Sequence, residues 1–330
     1  MNHIASDRHV QLFTCAHLGV LSVQGVDGRT FLQSQLTQDV SQVSEQGAAL
    51  AGFCTAQGRL WATLLMAQGE SANTVLCVLS DDLQDSLLKR LKMFVLRSKV
   101  TLEVTPAAVY GIFVPSPQVD AFAARFGHDM PTAIWSSTTS APGVRWIRLP
   151  SASQADARYL VIANEGWDTE ILSQCEGQLI QSSELAQWRI QDIKAGLPWI
   201  EARTQDMFIP QTVNLDLVAG VSFTKGCYPG QEVVARAHYR GTIKRRMHVG
   251  TVSHSSLTVE AGMDIIHEGE PDSPIGRVIN AVTTSSSDSP CTYVLFEAPF
   301  AAIEQGGLAI CTGEGPVALA AGQLPYPLKA

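Results

Sequence analysis

In FTKGCYPGQEVVAR, residues 223–236, Cys227 lies between Gly226 and the Pro229-Gly230 pair, with Lys225 before it and Glu232 after it. A cysteine that only fills space sits among aliphatic residues, as Cys77 does in VLCVL. Pro229-Gly230 has the residue types of the two central positions of a type II turn, where glycine accepts positive φ. Gly226 offers a second permissive backbone position beside the thiol. A sulfhydryl held on such a loop becomes reactive if its thiolate is stabilised, either by the Lys225 ammonium or by a helix that starts at Gln231. Glu232 could instead pair with Lys225 and cancel that effect. The alternative is a rigid connector whose cysteine is merely small, and the loop alone does not choose between the two.

Trp188 offers a second lead, in SSELAQWRIQDIKAG. At 100° per residue, Leu185, Ala186, Ile190 and Ile193 share one side of a helix, and Trp188 points roughly 140° away from their mean direction. An indole off the core stripe either packs against another domain or walls a ligand site. Arg189 beside it could meet a carboxylate.

These residues need a scaffold, and 330 of them suffice for two or three domains with ordinary cores. Hydrophobic residues make up 45% and charged residues 16%, the balance of a globular protein. No apolar run reaches the eighteen or so residues of a membrane span, and Asp7, Arg8 and His9 fall where a signal peptide needs an apolar core. The seven cysteines are odd in number and form no CxxC pair or His/Cys cluster, so neither a disulfide framework nor a zinc site is indicated. A reducing cytoplasm is the expected location, with no membrane partner and no metal. GVDGRT lacks dinucleotide-binding spacing, and neither a P-loop nor GxSxG is present.

The net charge of -8 argues against a protein that coats nucleic acid with its whole surface. Basic residues are nevertheless clustered. Lys89, Arg90, Lys92, Arg97 and Lys99 lie between Asp85 and Glu103 with no acid among them. Arg236, Arg240, Lys244, Arg245 and Arg246 form a second such run. Each run reads as a solvated face or as a site for an anionic ligand or partner.

The element pattern is α+β. Residues 17–25 read as a strand followed by Asp27 as N-cap of a short helix. Strand-like segments flank Gln57-Gly58 as a hairpin. NTVLCVLS reads as a strand, and Ser80 as the cap of a helix with Asp81 and Asp82 in its first turn. KVTLEVTP, AVYGIFVP, VRWIRLP and RYLVIA read as strands, and QVDAFAARFG, 168–176 and 183–195 as helices. From about residue 245, RRMHVGTVS, SLTVEAG, DIIHEG, GRVINAVTT, CTYVLFEA, LAICTG and PVALAAG form short strands with turns between them, SSSDSP (285–290) among these. Such spacing suggests a small antiparallel barrel. The expected division is a mixed body of two interleaved subdomains over 1–240 and a barrel over 241–330.

KGCYPGQE at 225–232, with VVAR and YRG (239–241), resembles the signature of the folate-binding YgfZ family, a relative of the aminomethyltransferase (T protein) of the glycine cleavage system. VQGVDGRTFLQSQLTQDV, TAQGRLWA, AGLPWI, FIPQTVNLD and LPYPL extend the resemblance over nearly the whole chain. It implies an aminomethyltransferase-like body, tetrahydrofolate or a derivative as ligand, and a role in making or maintaining iron–sulfur clients such as tRNA methylthiotransferases. Trp188 matches an aromatic position associated with folate, and the family's second tryptophan falls on Leu18 here. Cys227 and Lys225 match motif positions, as do Gly226, Tyr228, Gly230, Gln231, Glu232, Arg236 and Arg240. The transferases also use an acid shortly after a strand, and Asp81, Asp82 and Asp85 do not align with it. A folate-dependent one-carbon transferase and a non-catalytic RNA-binding protein are the alternatives.

Overall fold

Apolar alternation gives the first sheet two buried faces. Val10–Thr14 (β1), Ala108–Val114 (β7), Ser137–Ala141 (β8), Val144–Leu149 (β9), Ala157–Ala163 (β10) and Leu179–Ser182 (β11) pair in the order β11-β1-β7-β10-β9-β8. All these pairs are antiparallel except β1 with β11. Tyr110, Ile112 and Val114 face one way, with Leu12, Tyr159 and Val161, onto Phe122 of α3 (Val119–Phe126) and Ile171 of α4 (Trp167–Gln174). Gly111 and Phe113 face the other way, across from Phe13, Leu160 and Arg158. β1, β8 and β11 are absent from the sequence reading, because each is short and β8 and β11 are polar.

A computed structural model describes residues 9–126, 130–175, 179–239, 241, 243–253, 257–270, 272–284 and 290–328. The chain divides into two units that are not sequential: 1–34, 39–50 and 64–188 form the first, and 35–38, 51–63 and 189–330 the second.

The first unit also holds a second antiparallel sheet. It contains the end of β4 (Leu60–Gln68), β5 (Thr74–Ser80), β2 (Leu18–Gln24) and β6 (Thr101–Val104). Asp27 precedes α1 (Gly28–Gln33) but makes no side-chain cap; its carboxylate accepts from Lys99 N–H at 2.7 Å. Ser80 likewise makes no cap, and its hydroxyl donates to Asp82 at 2.8 Å. A 3-10 turn then leads into α2 (Gln84–Lys92), whose Leu87 and Leu91 are buried.

In the second unit, β3 (Ala49–Cys54) and β4 turn through Gly58 at φ +74°, the hairpin expected there. α5 (Leu185–Lys194) leads in, and α6 (Gln231–Tyr239) follows the cysteine loop. The C-terminal strands are Arg245–Ser253 (β12), Asp264–His267 (β13), Gly276–Thr283 (β14), Cys291–Pro299 (β15), Leu308–Thr312 (β16), Gly315–Ala318 (β17) and Ala320–Ala321 (β18). They form a nearly closed antiparallel barrel around Val252, Ile265, Val278, Val294, Phe296 and Ile310. SLTVEAG is not a strand where it is described, and the expected turn at 285–290 lies almost wholly outside the described residues. The short α7 (Phe300–Gln305) was not anticipated. These barrel strands belong to the unit that also holds 189–240.

His248 of β12 is buried between Phe296 and Phe300, ring centroids 5.7 and 5.9 Å away, and burial pushes its imidazole from 6.5 down to about 4. The folded value lies below the unfolded one, so this contribution is full above pH 6.5 and is lost as pH falls toward 4. Urea unfolding is expected to lose up to about 3 kcal/mol over that window, and His248→Gln should flatten the slope.

Candidate functional site

The cysteine loop is tied down on every side but one. Thr37 starts the attachment: its hydroxyl donates to Gly220 O at 2.6 Å, and its carbonyl accepts from Ser222 N–H at 2.9 Å. Gln38 Nε2 donates to Ala219 O at 2.6 Å. Lys225 then turns inward, its Nζ donating to Leu36 O at 2.6 Å and Gln38 O at 3.2 Å, with the Tyr228 ring 5.4 Å from the ammonium. Lys225 is buried and Glu232 exposed, and the lysine's ammonium is engaged by backbone oxygens. A buried ammonium needs such acceptors, and the carbonyls of the segment after α1 supply them.

Gly230 takes φ +79°, as the Pro-Gly turn requires, and a Cβ there would meet Thr55 O at 2.4 Å and Gly58 Cα at 2.5 Å. Gly226 differs from expectation. It lies outside the left-handed region, and an added Cβ would meet nothing within 4 Å. The loop's entrance is clamped by Phe223, which stacks on His238 of α6 at 3.6 Å and 13°, while Tyr239 Oη donates to Phe223 O at 3.4 Å. Gln231 opens α6, with Glu232 in its first turn and Arg236 exposed in its last; Arg240 lies outside the described residues. Between these anchors, Cys227 is the one exposed cysteine of the seven.

The approach to the loop is built from polar side chains that stand in for strand pairing. Asn214, held left-handed at φ 58°, donates to Met247 O at 2.8 Å and accepts from Met247 N–H at 3.3 Å. Gln211 Nε2 donates to Val234 O of α6 at 2.6 Å. Arg246 forms a buried bidentate pair with Asp216 at 2.6 and 3.1 Å, and Arg245 pairs with Glu297. Two residues of the second basic run, Arg245 and Arg246, are therefore absorbed into the barrel, while Arg236 and Lys244 are exposed. These partners escaped the sequence reading because they are far apart in the chain and no local pattern pairs them.

Trp188 is 0% exposed, so an outward-facing indole is corrected to a buried one. It packs over Gly111, where a Cβ would lie 2.6 Å from the ring, with Phe13 at 5.8 Å and the Arg158 guanidinium at 4.5 Å. The helical wheel assumed a single core face, whereas Trp188, Ile190, Asp192 and Ile193 are all buried on α5. Among the described residues, Trp188 Nε1 has no hydrogen-bond partner. Leu18 is buried at the start of β2, paired with Ser80. Arg189 meets a carboxylate of this chain, Glu201, at 2.7 Å; Glu201 also accepts from Asn280 at 3.2 Å. Among the described residues, no three His, Cys, Asp or Glu side chains group as metal ligands, and no helix is long and apolar enough to cross a membrane.

If Lys225 is a structural cation, its loss strands two carbonyls. Lys225→Met is expected to lower unfolding free energy by about 2 kcal/mol or more. Gly230→Ala should cost a similar amount through backbone strain and collision. Gly226→Ala and Cys227→Ala should remain within about 0.5 kcal/mol of the parent. Urea titration of the four variants checks this, and equal losses across all four would refute it.

No family model matches the chain. It is 33% identical over 270 residues to the tRNA-modifying protein YgfZ of Cronobacter sakazakii, covering 79% of this chain and 77% of that protein. To the protein of the same name from Yersinia pestis it is 32% identical over 265 residues, covering 80% and 77%. The glycine cleavage system aminomethyltransferase T from Bartonella henselae superposes with TM-score 0.73 over 97% of this chain and 87% of that one, at 15% identity. The fold is therefore aminomethyltransferase-like, and the chain belongs to the family of the tRNA-modifying protein YgfZ.

Proposed function

We propose that this protein binds tetrahydrofolate or a derivative and supports iron–sulfur enzymes that modify tRNA, tRNA methylthiotransferases among them. The observation that carries the reading is the selective display of Cys227. Its neighbours Lys225, Tyr228 and Gly230 are engaged in the structure, while the thiol is left at the surface. A loop that only connected elements would have no need of so many anchors around one exposed sulfur. The relatives' name supplies the link to tRNA modification, and the fold shared with an aminomethyltransferase supports a folate-type ligand.

The residues present fit such a ligand in one respect. The buried Trp188 N–H lacks an acceptor among the described residues, a deficit of about 1–3 kcal/mol that a pterin carbonyl or ring nitrogen would relieve. A reduced folate would bring one-carbon chemistry to the site. The chain's part is to supply the indole donor and the apolar Leu18. Because Trp188 is fully covered, a ligand reaches it only after the covering chain moves.

Two measurements test the reading. Trp188→Phe should weaken folate binding roughly 5- to 100-fold without lowering the thermal midpoint by more than a few degrees, since it removes an unmet donor. Unchanged affinity would remove the indole from the site. In cells lacking the protein, the methylthio-nucleoside content of tRNA should be restored by the parent gene and not by Cys227→Ala. Full restoration by that variant would make Cys227 structural.

A further inference from the structure

Of the two basic runs, the first remains uncommitted. α2 ends at Lys92 and the chain continues through tight turns, with Met93 N–H donating to Arg90 O, Phe94 to Leu91 O, Val95 to Lys92 O and Ser98 to Val95 O. Buried Leu87 and Leu91 anchor this knuckle from below. Its outer surface carries Lys89, Lys92, Arg97 and Lys99, all exposed, and no ion pair involves them among the described residues. Arg90 differs, since its guanidinium lies 5.5 Å from the Phe94 ring. Asp27 lies beside the knuckle, its carboxylate accepting Lys99 N–H, and Asp85 precedes Lys89 by one turn on α2.

The apex of the knuckle is apolar. Leu96 is 89% exposed and Met93 62%, and Leu96 is held at φ 41°, a conformation that a leucine adopts at a cost of about 1–2 kcal/mol. Val26, 68% exposed, precedes Asp27 in the loop that bonds to Lys99. Aliphatic side chains presented in this way, with cations on both sides of them in sequence, are unfavourable in water unless something covers them.

We propose that this knuckle is a docking surface for RNA, with the four cations on phosphates and Leu96 and Met93 inserted against unstacked bases. The choice of tRNA among RNAs rests on the role in tRNA modification proposed above. Cations spread over eleven residues match the spacing of a phosphate strand, and leucine and methionine serve elsewhere as wedges between base steps. A lipid surface matches less well, because the apex has no tryptophan or tyrosine to sit at headgroup level. The remainder of the chain is more acidic than the net charge of -8 indicates, so contact with a polyanion concentrates on this segment.

The test uses the full-length protein and labelled total tRNA, with anisotropy read from 50 to 200 mM salt. Four phosphate contacts give a slope of log affinity on log salt near -3, an affinity loss of roughly 50- to 150-fold across that range. Combining Lys89→Ala, Lys92→Ala, Arg97→Ala and Lys99→Ala should abolish that slope. Arg97→Glu alone should already flatten it. Leu96→Ser should keep the slope while weakening binding roughly 5- to 10-fold. Absence of binding at 50 mM salt, an unchanged slope in the substituted proteins, or a preference for phosphatidylserine vesicles over tRNA would overturn the proposal. Folate titration of the same samples separates the two readings. A parent protein that binds tRNA with this slope but takes up no folate removes only the folate reading, and the reverse result removes only this one.

Discussion

A single buried ammonium organises the motif. Lys225 draws its charge away from solvent and needs oxygens to compensate; it finds them at Leu36 and Gln38, nearly 190 positions earlier in the chain. That requirement fixes residues 35–38 against 219–225, an attachment reinforced by Thr37 and Gln38 side chains bonding to Gly220 and Ala219. With the segment fixed, Tyr228 lies under the cation, and Gly230 comes against the Gly58 turn closely enough to exclude a Cβ. The position of the sulfur is thus a consequence of where a lysine can be buried. A neutral residue at 225 would leave two carbonyls in a dry site with no donor.

Much of this was legible in the residues, and the failures have common causes. The Pro-Gly turn, the helix start at Gln231 and the C-terminal barrel are local or periodic features, and residue types report such features directly. The direction of Lys225 is neither. Its partners are main-chain oxygens, invisible to any scan for acids, so Glu232 looked like the natural partner. Trp188 failed for a different reason. The wheel assigned one core side to a helix that is buried on several, and an indole that looked spare rests on the flat created by Gly111. Arg189 found its carboxylate within the chain, at Glu201, which also accepts from Asn280 of β14.

Charge clustering was equally ambiguous in the sequence. Residues of two runs of similar composition have different fates, decided by secondary structure. Arg245 and Arg246 start a strand whose neighbours offer Glu297 and Asp216, and both are consumed in ion pairs. Lys89, Lys92, Arg97 and Lys99 lie on a helix end and the turns beyond it, where no strand partner can supply an acid. A bidentate pair at 2.6 and 3.1 Å in a buried setting is a structural element, while an exposed lysine on a turn remains available.

The same logic of burial separates one exposed thiol from the other six. Thiolate is the reactive form, and desolvation penalises it. Burial drives Cys54 and Cys77 up to about 12, far from ionisation at neutral pH, and raises Cys175 and Cys291 as well. Cys227 is exposed while Lys225 and Tyr228 beside it are buried, so its own side chain lies outside the packed volume. Rigidity and exposure usually oppose one another, since what is packed is hidden and what is open moves. Here the neighbours are packed and the cysteine is not, so the sulfur is both held in place and accessible to whatever approaches that surface.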